Sequence, residues 1–72
     1  MEREVRGRIV IVQEDRIRVV DGAGRGFLFV VGRGRATLDE LARWRDERTR
    51  LRVRYRGVPD AGATVTRIEP DA

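Results

Sequence analysis

The run RTRLRVRYRG at residues 48–57 sets an arginine at every even position, Arg48, Arg50, Arg52, Arg54 and Arg56, with Leu51, Val53 and Tyr55 between them. A two-residue period belongs to a strand with one dry and one wet face, whereas the face of a helix repeats every 3.6 residues. Leu51, Val53 and Tyr55 are therefore expected to line a core. The arginines form a cationic row that no carboxylate interrupts between Arg48 and Gly57.

The same period recurs upstream. In VRGRIVIV, residues 5–12, Val5, Gly7, Ile9 and Ile11 fall on one side and Arg6 and Arg8 on the other, before the run becomes apolar on both faces. RIRVV, residues 16–20, alternates again after the short polar link QED, and the two runs predict a hairpin. DGAGRG at 21–26 is a glycine-rich turn, and FLFVV at 27–31 a third strand of aromatic and β-branched residues. After GRGR, Thr37 stands three positions before Glu40 as a capping box, Asp39 and Glu40 fill the first turn, and Arg43, Arg45 and Arg48 lie toward the other end. That charge order matches the helix dipole and predicts a helix through TLDELARWRDE, with Leu38, Leu41, Ala42 and Trp44 as its apolar stripe. The arginine row is the fourth strand, GVPDAG a loop, and ATVTRI at 63–68 the fifth strand.

Strand, strand, strand, helix, strand, strand within 72 residues is the layout of a small closed β-barrel, which leaves few strand edges exposed. With Gly7 inside a long first strand, a hairpin ending in DGAGRG and a capped helix between strands three and four, residues 5–68 resemble an OB-fold. GRIVIVQEDRIRVV is also similar to the opening of uncharacterised small bacterial proteins of this architecture. The resemblance implies a mainly β, five-stranded OB-fold-like barrel, one domain over residues 1–72, with the helix plugging the bottom. An SH3-like barrel is the nearest alternative, and it does not ordinarily carry a three-turn helix at that place.

The chain contains no histidine, cysteine, serine or lysine, so the usual general bases, nucleophiles and metal ligands are missing, and a non-catalytic protein without metal or cofactor is expected. The glycines of GAGRG and GRGR do not make a phosphate loop, which needs its lysine, nor a dinucleotide fingerprint, which must open a helix. No disulfide framework is available, and no apolar run approaches the roughly 20 residues of a membrane helix. A cytoplasmic location with no membrane partner is the expectation. All 16 basic residues are arginine, against 12 acidic ones, a net charge of +4 that favours anionic partners. The complete absence of lysine has the look of a GC-rich genome, which reduces the weight of arginine as a nucleic-acid signal.

Two functional readings remain. RGFLFVV at 25–31 resembles the RNA-binding signature of RNA-recognition motifs and cold-shock domains at Arg25, Gly26, Phe27, Phe29 and Val30, and departs from it at Leu28 and Gly32. That resemblance implies Phe27 and Phe29 facing solvent to stack on bases, whereas a domain this small calls for both in its core. With Arg16, Arg18, Arg50, Arg52 and Arg54 on phosphates, the first reading is a module for single-stranded DNA or RNA without strong sequence preference. Glu2 and Glu4 share parity with Arg54 and Arg56 and are expected to pair with them, and Asp46 and Glu47 to offset Arg50. If Phe27, Phe29 and Val31 point inward, Leu28 and Val30 join Val10 and Val12 in an outward apolar patch rimmed by Arg16 and Arg18. The second reading is accordingly a protein interface or homodimer through Val10, Val12, Leu28 and Val30, unless the loop GVPDAG covers them.

Overall fold

The structure is a computed structural model that describes residues 1–32, 34–58 and 61–71. Its elements follow the order β1 (Glu2–Gln13), β2 (Arg16–Asp21), β3 (Gly26–Val31), α1 (Leu38–Asp46), β4 (Leu51–Arg56) and β5 (Ala63–Pro70). The strands close into a ring in the order β1-β2-β3-β5-β4, with β4 pairing back onto β1. All neighbours are antiparallel except β3 and β5, which run parallel through Phe29↔Ala63, Val30↔Thr64 and Val31↔Val65.

β1 makes this closure feasible by serving two neighbours in succession. Residues Glu2 to Gly7 pair with β4, and Gly7 to Gln13 pair with β2. Gly7 belongs to both ladders, opposite Leu51 on one side and Asp21 on the other. A Cβ there would stand 2.3 Å from the backbone oxygen of Val20 and 2.9 Å from its carbonyl carbon. Only glycine lets the strands approach this closely.

Inside the ring, alternate residues of every strand meet. Ile17, Val19, Phe29, Leu51, Val53 and Val65 are almost wholly inaccessible, and Leu41 and Trp44 of α1 join the same cluster. Leu51, Val53 and Tyr55 are buried, as the period of β4 requires. Of the expected helix stripe, Leu38 is an exception at 55% exposure.

Strand parity fails at two places. In β5, Thr66 is an extra residue between Arg54↔Arg67 and Tyr55↔Val65, so that Val65 and Ile68 are both buried. In β1 a second irregularity falls beside the candidate patch. Ile9 faces Val19, but the next pair is Ile11↔Arg18, so Val10 is an extra residue in a β-bulge. Unbroken alternation puts Ile11 inside and Val12 outside. The bulge reverses them: Ile11 is 47% exposed, and Val12 is half-buried against the core. One inserted residue exchanges the faces of everything beyond it.

Local signals explain the connections. Asp21 Oδ1 accepts from the amides of Ala23 and Arg25, each at 2.9 Å, which orders the β2–β3 turn around Gly24. Thr37 and Glu40 form the reciprocal capping box of α1. At its other end the amide of Arg48 donates to Arg45 O at 3.2 Å and that of Thr49 to Trp44 O at 3.0 Å, the two bonds of a Schellman closure. Arg48 therefore occupies a left-handed position, φ 54, that glycine usually fills and that costs a residue with a side chain about 1–2 kcal/mol.

Replacing Gly7 by alanine is expected to destabilise the protein by about 1–3 kcal/mol, read as a lowered urea midpoint at unchanged m. Gly22→Ala, where an added Cβ meets nothing within 4 Å, is the matched control and should stay within about 0.5 kcal/mol of wild type.

Candidate functional site

The outward arginines of β4 are matched by carboxylates from both neighbouring strands. Arg54 Nε donates to Glu4 Oε1 at 3.3 Å, and its Nη1 lies 3.9 Å from Glu2 Oε1. Arg52 Nη2 is 3.6 Å from Glu69 Oε1, although its enclosed Nε has no hydrogen-bond partner. Arg50 Nε is 3.4 Å from Asp71 Oδ2, which also reaches Arg6 Nε at 3.8 Å. Asp71 is anchored in turn by its amide, which donates to Arg50 O at 2.9 Å. The expected pairing of Glu2 and Glu4 with this row is present, with Arg54 the residue that both engage. Arg56 lies opposite Glu2 in the register without a salt bridge among the described residues.

The role expected of Asp46 and Glu47 is corrected. Asp46 pairs with Arg45 at 3.0 Å, and Asp71 takes Arg50. The carboxylates overlooked in the sequence, Glu69 and Asp71, stand two residues apart at the end of β5, antiparallel to β4, so their spacing was the available signal.

The arginines of β2 stand differently. Ile11, Arg18 and Leu28 form one row across β1, β2 and β3 on the outer face, and Gln13, Arg16 and Val30 form the next. Arg18 has no carboxylate within 4.0 Å among the described residues, and Arg16 has only Asp15, at 3.9 Å with both side chains 64% exposed. Ile11, Gln13, Arg16, Arg18 and Leu28 border a shallow depression of about 120 Å³. Val10 and Ile11 are exposed, while Leu28 and Val30 are half-buried. Val12 leaves the proposed apolar patch and Ile11 replaces it, a consequence of the bulge. Pro59 and Asp60, within the loop GVPDAG that could cover the patch, lie outside the described residues. The end of that loop does approach: a Cβ on Gly62 would stand 3.8 Å from Val30 Cγ2.

The aromatic rings turn inward. Phe29 has no exposed surface and packs against Tyr55 at 4.9 Å between centroids and against Phe27 at 6.0 Å. Phe29 thus offers no face to a base, and its expected stacking role is corrected by the core's demand for volume. Phe27 is half-buried against the same cluster, with the Arg25 guanidinium 5.7 Å from its ring centre. Trp44 and Tyr55 are buried as well.

No described group of three or more acidic side chains is placed to hold a metal ion, and no described helix is long and apolar enough to cross a membrane. Comparison with known protein families, with curated proteins and with solved structures finds no match for this chain.

The pairs on β4 are exposed and are expected to add little stability. A double-mutant cycle of Glu4→Gln and Arg54→Gln should give a coupling of about 0.2–1 kcal/mol in dilute buffer. In about 1 M salt, where charges are screened within about 3 Å, the coupling should approach zero. A coupling unchanged by salt would contradict this account of the row.

Proposed function

We propose that the chain is a non-catalytic OB-fold module that binds single-stranded nucleic acid, without strong sequence preference, across the outer face of β1, β2 and β3. The ring order, the parallel contact of β3 with β5 and the helix between β3 and β4 support the fold reading. The functional reading is carried by the division of charge. Arg50, Arg52 and Arg54 are each within 4.0 Å of a carboxylate, whereas Arg18 has none among the described residues and Arg16 only a long, exposed contact.

Phosphates would therefore be held by Arg16 and Arg18, with the sugar and base edges lying over Ile11, Leu28 and Val30. No exposed aromatic platform contributes the stacking energy of a dedicated single-strand binder, so affinity rests on phosphate contacts and falls with salt. Two contacts correspond to a slope of about −1.4 in log K against log salt. Fluorescence anisotropy with a labelled oligonucleotide should show this slope. Arg16→Gln combined with Arg18→Gln should remove binding, and Arg52→Gln combined with Arg54→Gln should leave it within about twofold. No binding at about 50 mM salt, or a greater loss in the β4 variant, would sink the proposal.

A second reading has its own observation. Val10 and Ile11 are 45% and 47% exposed beside Leu28 and Val30, a contiguous aliphatic surface suited to a second copy or another protein. Light scattering decides this: a concentration-dependent dimer abolished by Leu28→Glu or Ile11→Glu is expected on that reading. A protein that stays monomeric, with solubility unaltered by either change, rejects it.

A further inference from the structure

We infer that Arg8, Arg45 and Arg48 form a binding site for a single phosphate group, between the bulged half of β1 and the C-terminal end of α1. These residues are distinct from those assigned above to nucleic acid, so the two proposals stand or fall separately.

The three arginines border one pocket of about 230 Å³, completed by Ile9 and Val10. That is smaller than the roughly 300–1,000 Å³ of pockets for drug-sized ligands and suits a compact anion. Arg45 is paired with Asp46 at 3.0 Å. Neither Arg8 nor Arg48 has a carboxylate within 4.0 Å among the described residues, and Glu47, the C-cap, forms no ion pair with any of the three. Three guanidinium charges less the Asp46 carboxylate leave two, which matches a phosphate near its dianionic form. Guanidinium groups also present paired N–H donors in the geometry that phosphate oxygens accept.

Two backbone features converge on the same place. The bulge at Val10 turns β1 beside the pocket, and bulges re-aim side chains near sites of function. Arg48 holds a left-handed backbone at φ 54, as Glu14 does at φ 52 in the β1–β2 turn, whereas the other positive-φ positions among the described residues, Gly24, Gly34, Gly57 and Gly62, are glycine. The negative end of the α1 dipole favours a cation here, but it does not require the left-handed residue to carry that cation. Arg43 O, Trp44 O and Arg45 O already accept from the amides of Glu47, Thr49 and Arg48. An unfavourable backbone retained with its side chain at a cationic pocket points to a ligand.

The test uses the intact protein with inorganic phosphate as the probe and sodium chloride at equal ionic strength as the reference. Phosphate should move the amide resonances of Arg8, Val10, Arg45 and Arg48 saturably. Arg8→Gln should weaken the interaction about tenfold or more, the loss expected for a charge-assisted hydrogen bond. In chloride, Arg48→Gly should melt roughly 4–8 °C above wild type, because the left-handed position is relieved. Phosphate should raise the melting temperature of wild type but much less that of Arg48→Gly. Shifts no larger than those in chloride would overturn the site. So would an Arg48→Gly protein less stable than wild type in chloride, since the side chain would then be holding the fold. A 5′-phosphorylated oligonucleotide that moves these amides, where its unphosphorylated counterpart does not, assigns the phosphate to strand ends; if neither moves them while inorganic phosphate does, the ligand is free phosphate. Equal shifts by both, a reading of the internal backbone, would overturn a site for a single phosphate group.

Discussion

The shape of this protein depends on one strand having two partners. β1 must leave β4 and join β2 within a single residue, and Gly7 is that residue, with the Val20 carbonyl so near that a methyl group has no room. Three residues later the Val10 bulge adds a second irregularity on the β2 side. Together they let a 12-residue strand curve around a core too small for a flat sheet, consistent with the role of glycines and bulges in sheet curvature. The three pairs joining β3 to β5 could not form without that curvature, because they complete the circuit that β1 begins.

Ring closure also determines the electrostatics. It places β4 between the start of β1 and the end of β5, two segments that carry acids on the outer face. Glu2, Glu4, Glu69 and Asp71 thereby reach arginines that are distant in sequence. The middle of the cationic row that dominates the sequence, Arg50, Arg52 and Arg54, is thus matched by acids, while Arg48 and Arg56 at its ends have none within 4.0 Å among the described residues. Positive charge persists where ring closure supplies no acids, at β2 and at the junction of β1 with the end of α1. A net charge of +4 says that an excess exists; only the strand order says where it lies.

What was legible in the sequence followed from local pattern. The five strands and the helix could be read because their periods differ and their ends carry glycine, a capping box or proline, and the dry face of β4 followed from Leu51, Val53 and Tyr55. The wet face was half legible: Glu2 and Glu4 could be matched by parity, but Glu69 and Asp71 required knowing that β5 runs beside β4. The β1 bulge was not legible at all. IVIV reads identically in either register, so no side chain within it could show that Ile11 and Val12 exchange faces. The Schellman end of α1 was hidden for a related reason, since arginine at its left-handed position replaces the glycine that marks such closures.

Aromatic residues sharpen what the outer face can do. The chain has two phenylalanines, one tryptophan and one tyrosine, and a ring this small has few other side chains large enough to fill its centre. Phe29 and Tyr55 meet in the middle, Trp44 closes the helix side, and Phe27 packs behind Phe29. The same demand for volume that stabilises the core removes the rings from recognition. The outer sheet is left with aliphatic side chains between arginines, and such a surface has no aromatic platform on which a base could stack. Any partner of this face would meet charge and an aliphatic strip rather than rings.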